Sequence, residues 1–213
     1  MNDWVIVSSL ATAGGTLVLA VATFSSVRSA NRSARVAEES LLSGMRPLLF
    51  PSRAEDAPIK VTFIDEHHVV LPGGSGTAEV TDDAIYLTMS VRNVGSGVAV
   101  LHGWRTATPE EAGNHDRPSL DSFHRLTRDL FVASGDVSFW QGVYRDPTLP
   151  EFAEARERIN ERERFIVDLL YGDYSGGQRM ISRFFLLPRS DGGWMAIVGR
   201  HWNVCLLYTS RCV

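Results

Sequence analysis

Residues 4–27 (WVIVSSLATAGGTLVLAVATFSSV) form the first hydrophobic run, with no charged residue between Asp3 and Arg28. As a helix rising about 1.5 Å per residue the run measures about 36 Å, against about 30 Å for a bilayer's hydrocarbon core. The pattern predicts a transmembrane helix over 4–27, with residues 1–3 outside the cytoplasm. A cleaved signal peptide would show a basic leading segment and a shorter apolar run. A buried core helix of this kind would need a larger protein around it. Small residues recur every four positions at Ser8, Thr12, Thr16 and Ala20, a spacing that permits homodimer pairing through the span. Over residues 28–44 the apolar positions fall at alternating spacings of three and four, continuing Val27 through Ala30, Ala34, Ala37 and Leu41. That predicts a juxtamembrane helical linker, ended by Gly44 and Pro47.

From residue 45 the pattern changes to short apolar runs between turn residues, which predicts one β domain over 45–204. Candidate strands are 47–50, 59–64 and 68–71, followed by a Pro-Gly-Gly-Ser-Gly turn at 72–76. The clearest alternation is at 85–93, where Ile85, Leu87, Met89 and Val91 face one way and Tyr86, Thr88, Ser90 and Arg92 the other, the period of a half-buried strand. The stretch Asn93-Val94-Gly95-Ser96-Gly97-Val98-Ala99 follows. Glycines at alternate positions there mark a bulge, a sharp bend, or the close approach of another backbone. Residues 100–104 read as a strand and 106–122 as a polar loop. Residues 123–132 are strand or short helix, and periodicity does not separate the two. Residues 137–144 read as a strand. Pro147 and Pro150 introduce a charged helix with one narrow apolar stripe of Phe152, Ala155 and Ile159. Strands at 165–171, 179–187 and 194–198 complete the pattern, with peripheral helices, so the economical architecture is an antiparallel sandwich.

The stretch Asn-x-Gly-x-Gly-x-Ala between strands, the Arg46-Pro47-Leu48-Leu49 lead-in and the late Asp168-Leu169-Leu170-Tyr171-Gly172-Asp173 strand together resemble uncharacterised bacterial single-pass membrane proteins with an N-terminal span and an Arg-rich juxtamembrane helix. The resemblance implies an immunoglobulin-like β-sandwich. It carries no activity over, and no cofactor is expected.

Charge sets the orientation. Arg28, Arg32 and Arg35 follow the span and no basic residue precedes it, which predicts a cell-membrane protein whose C-terminal domain is cytoplasmic. The formal net charge of −4 lacks the basic excess of a nucleic-acid binder. Both cysteines, Cys205 and Cys212, lie in residues 205–213. Back-translated, that segment reads as two head-to-head copies of a transposon end used in sequencing, so it is expected to be an artefact. No disulfide or thiol chemistry is therefore expected.

Candidate chemistry is sparse. His67 and His68 are adjacent, beside Asp65 and Glu66, but strand neighbours face opposite sides and cannot share a metal. Gly74-Ser75-Gly76 lacks the spacing of a nucleophile elbow, and no phosphate-binding loop or dinucleotide fingerprint occurs. Asp173 and Tyr174 sit in a turn composition. No catalytic, cofactor-binding or metal residue is assigned. The leading expectation is a membrane-anchored interaction or sensing module. The alternative is a tethered hydrolase in which the fold brings His102 or His201 within hydrogen-bond reach of Asp168 or Asp173.

Overall fold

The structure is a computed structural model describing residues 3–204 apart from 177, with the side chains of 3–12, 39, 42, 43 and 127 not described. The expected artefact at 205–213 lies outside the described residues. The chain divides into two compact units, Met1–Gly44 and Met45–Val213.

The first unit is one continuous helix, α1 (Asp3–Gly44). The expected span over 4–27, and with it the picture of a single-pass membrane protein, is corrected by its composition. Among the described residues no helix is long and apolar enough to cross a membrane. The described side chains of α1 begin at Ala13, and from there to Val27 the apolar positions are diluted by Gly14, Gly15, Thr16, Thr23, Ser25 and Ser26. Arg28 is the first charged residue after this stretch. Thr23 and Ser25 turn their hydroxyls back to Leu19 O and Ala22 O, at 2.7 and 2.9 Å.

The second unit is mainly antiparallel β. Its strands are β1 (Leu49–Pro51), β2 (Ile59–Thr62), β3 (His68–Leu71), β4 (Ser75–Val80), β5 (Ile85–Asn93), β6 (Ala99–Ala107), β7 (His124–Val132), β8 (Val137–Tyr144), β9 (Phe165–Asp173), β10 (Arg179–Pro188) and β11 (Trp194–Val204). Two short helices, α2 (Pro109–Gly113) and α3 (Pro150–Asn160), lie between them. Nine strands join in one sheet that folds over on itself. One layer holds β8, β5 and, along the other edge of β5, β4 and then β1. The other runs β11-β10-β9-β6-β7.

The corner is β4. Gly76 faces Met89 on one side and Trp194 on the other, and a Cβ there would meet the Leu186 side chain at 2.5 Å. A strand that turns such a corner needs a residue without a side chain. Two separate sheets, the form a sandwich usually takes, are here bridged at this point.

The main core lies between the layers. Ile85, Leu87, Met89 and Val91 of β5 meet Leu169 and Tyr171 of β9 and Phe184 and Leu186 of β10. The stripe Phe152, Ala155 and Ile159 of α3 packs into the same core, as its spacing predicts. β5 departs from the half-buried expectation, because Tyr86, Thr88 and Ser90 are also buried. The β2–β3 hairpin covers that outer face in a second cluster of Val61, Phe63, Val69, Leu71 and Tyr86.

The alternate glycines after β5 mark a close backbone approach. A Cβ on Gly97 would lie 1.9 Å from Met45 O, and one on Gly95 would lie 2.2 Å from Arg46 O. The chain leading into β1 therefore passes directly over this loop.

Candidate functional site

β7 and β8 follow one another through residues 133–136 yet form no ladder together. Among the described residues β7 pairs with β6, and β8 pairs with β5. The cause is local. Gly135, at φ 76°, donates its N–H to Asn93 O at 2.8 Å, and Asn93 N–H donates to Asp136 O at 3.1 Å. Asn93 Nδ2 donates to Val132 O at 3.0 Å, and Ser134 Oγ donates to Gly95 O at 2.7 Å. The turn is thus fastened to the end of β5 rather than closed by its own strands, which leave it into opposite layers.

The wedge that opens between them holds a cleft of about 270 Å³. Its β7 wall is displaced by an irregularity. Leu101 pairs with Leu130 and Gly103 with Arg125, so residues 126–129 bulge out opposite His102 alone. Bulges of this kind re-aim side chains at sheet rims. Leu126 and Arg128 of this stretch, and Leu130 beside it, line the cleft.

The floor is aromatic. The Trp104 ring lies 5.1 Å from His124, 5.2 Å from Tyr144 and 5.5 Å from Trp140, the last two edge to face. Gly142 makes this packing possible, since a Cβ there would lie 2.7 Å from the Trp140 ring and 2.9 Å from that of Trp104. Burial pushes the Tyr144 phenol up to about 12, although its hydrogen bond with Thr106 at 2.8 Å works the other way. Phe63 and Ile64, at the tip of the β2–β3 hairpin, form the far wall, and Ile64 is 78% exposed.

Arg125, Arg128 and Arg145 ring the mouth. Arg145 is neutralised by Asp65 at 2.7 Å. The same carboxylate accepts the Tyr86 hydroxyl at 2.6 Å, and these bonds, Tyr86 first, hold its pKa near 2. Arg125 and Arg128 have no ion pair among the described residues. Gln141 Oε1 and Trp140 Nε1, on β8, are buried without a hydrogen bond. The cleft can therefore take an anion at its mouth, an apolar group on its floor and a hydrogen-bond donor at Gln141.

The sequence-derived candidates go elsewhere. His67 pairs with Glu79 at 3.0 Å and stacks on Tyr86 at 4.0 Å. His68 is exposed on β3. His201 meets Ser182 Oγ at 2.5 Å; Ser182 bonds Tyr171 OH at 2.8 Å, which accepts Leu49 N–H. Burial lowers the pKa of His201, and burial and then Arg179 lower that of His102. Asp173 accepts Gln178 N–H and Ser175 Oγ. No hydrogen bond among the described residues joins His102 or His201 to Asp168 or Asp173, so the geometry required of the hydrolase reading does not form.

Asp168 belongs to a buried ionic cluster on the outer face of β6, β9 and β10. Arg183 grips it bidentately, at 2.7 and 2.8 Å, and Arg105 Nε lies 3.4 Å away. Arg105 also pairs with Glu111 of α2, and Arg183 donates to Glu111 O. The hydrogen bonds to Asp168, before any other cause, raise the Arg183 pKa. The cluster clamps segment 108–122 over the sheet, aided by Arg105 bonding Ser122 and Trp202 Nε1 donating to His115 O at 3.1 Å. Sequence reasoning missed this cluster and the wedge alike. Their members lie far apart in the chain, and the one local signal was the uncharged aromatic run of β8.

Comparison with known proteins adds no identity. No family model matches the chain, and no curated protein does. Among solved structures, it is similar to a β-glucosidase from Kluyveromyces marxianus, with 15% identity and a TM-score of 0.23, over 61% of this chain and 14% of that one. It is also similar to a protein assigned as ApaA from Bordetella pertussis, with 10% identity and a TM-score of 0.23, over 63% of this chain and 91% of that one. Likenesses at this level carry no argument about fold or function.

Proposed function

We propose that the β domain is a recognition module that works by contact rather than by turning over a substrate, with the β7–β8 wedge as its binding face. The observation that carries this reading is the failure of two consecutive strands to pair. It leaves a lined cleft where most hairpins would close. A cleft flanked by aromatic edges, with unpaired arginines at its mouth, has the composition of an interaction hot spot. The histidine in its lining, His124, has aromatic neighbours at the cleft floor and no ion pair among the described residues. That arrangement suits packing better than proton transfer.

Selection of displayed random peptides against the full-length chain tests the reading. Selected sequences should bind the parent chain and weaken at least tenfold against an Arg125→Glu, Arg128→Glu double variant. Selection that yields no binder, or binders indifferent to the double variant, overturns it.

A further inference from the structure

We infer that the occupant of the wedge is an extended acidic segment of another protein, which adds as a strand to the free edge of β8 and places a carboxylate between Arg125 and Arg128. The inference rests on the wedge being the binding face and names the chemistry of its partner.

The first support is the edge itself. β8 reads Val-Ser-Phe-Trp-Gln-Gly-Val-Tyr, a run with no charge and no proline, and it is laddered to β5 on one side only. Exposed edges are normally blunted by charges, prolines or very short strands, because their free N–H and C=O groups invite a further strand. β8 carries none of these devices. Gln141 adds a buried acceptor with no donor, at a position where an incoming backbone N–H can supply one.

The second is charge. The chain as a whole is acidic, at −4, yet the mouth of the cleft presents two guanidinium groups without counter-ions among the described residues. Planar guanidinium groups match carboxylates in a bidentate fork. Pairing of β8 with β8 of a second copy would bring these arginine rims together about a two-fold axis, so like charge opposes self-association through this edge.

The third is size. A cleft of about 270 Å³ falls just below the range of pockets that enclose drug-sized ligands, roughly 300–1,000 Å³. It suits one anchoring side chain of a peptide whose backbone runs along the strand outside.

The test uses the full-length chain and an acetylated nine-residue peptide alternating valine with glutamate, followed by calorimetry and tryptophan fluorescence. Three control ligands accompany it: the same peptide with lysine for glutamate, the same peptide with alternate backbone amides N-methylated, and inorganic phosphate. A single-stranded oligonucleotide is the fourth. The acidic peptide should bind, and the lysine and N-methylated peptides should bind at least tenfold more weakly. Affinity should fall at least tenfold with Arg125→Glu, Arg128→Glu, and at least threefold with Gln141→Leu, which keeps both arginines in case the double variant misfolds.

Equal binding of the N-methylated peptide would overturn strand addition. Equal binding of the lysine peptide would overturn the acidic partner. Phosphate or the oligonucleotide matching the peptide would make this an anion or nucleic-acid site instead, and no binding of the acidic peptide also overturns the inference. In each of these cases the recognition reading itself stands or falls separately, on whether displayed peptides sense the arginine reversal.

Discussion

Asn93 is fully buried at the end of β5, and its side chain makes four hydrogen bonds: Oδ1 accepts from Leu48 N–H and Gly95 N–H, and Nδ2 donates to Gly97 O and Val132 O. One amide thereby joins the lead-in to β1, the glycine loop and the last residue of β7. Removing it strands buried partners, each costing about 1–3 kcal/mol. Asn93→Ala should therefore destabilise by at least about 2 kcal/mol in chemical denaturation. Asn93→Asp, of the same size, sets an acceptor against two carbonyl oxygens and should be no better tolerated. Asp65 makes a prediction in pH. Its pKa is held near 2 in the fold, below its ordinary value of 3.8. Its contribution is present in full above the ordinary value and is lost as pH falls toward 2. The slope of stability against pH between 4 and 2 should flatten in Asp65→Asn, measured by denaturant midpoints across that range.

At the scale of elements, the wedge depends on Gly142. Gly142→Ala would drive a methyl into the Trp140 and Trp104 rings, an overpacking worth about 1–3 kcal/mol. A shift in tryptophan emission together with a lowered denaturation midpoint would show it. The clamp on segment 108–122 depends on Asp168. Asp168→Ala leaves the guanidinium of Arg183, 3% exposed, without its bidentate partner, and loss of one member of such a pair costs about 3–5 kcal/mol. Cleavage within residues 108–122 by limited proteolysis should accelerate in parallel. Elements differ in how far their sequence foretells them. The stripe on α3 and the bounds of β8 follow from periodicity, because a helix or strand has one dominant neighbour to satisfy. β4 was hidden in a Pro-Gly-Gly-Ser-Gly turn, since a corner strand is built from the same small residues as a loop. The second buried face of β5 was hidden too, because threonine and serine read as solvent-facing until Ser90 finds Ser52 and Ser75 O, and Thr88 finds Trp140 O.

At the scale of the whole molecule, the core of the β unit is assembled from residues at and beyond Leu48. Deleting residues 1–44 should leave its unfolding free energy within about 0.5 kcal/mol of the full chain. A larger loss would show that the β unit does not stabilise itself. The first unit gives the opposite lesson. A local hydrophobic window over 4–27 predicts a bilayer crossing, whereas no helix among the described residues is long and apolar enough for one.

Alternation along the chain determined that the second unit would be antiparallel β with a peripheral helix, where most strands begin, and that the glycine loop would be a bulge, a bend or a close backbone approach. Those features answer to spacings of two, three and four residues, which a sequence displays directly. Tertiary structure alone decided that β7 and β8 would not pair, that Asp168 would be bound to Arg183 rather than offered to a histidine, and that Arg125 and Arg128 would lack counter-ions among the described residues. Each of these depends on which distant segment reaches an edge or a charge first, and the competition for partners is settled only when the layers close.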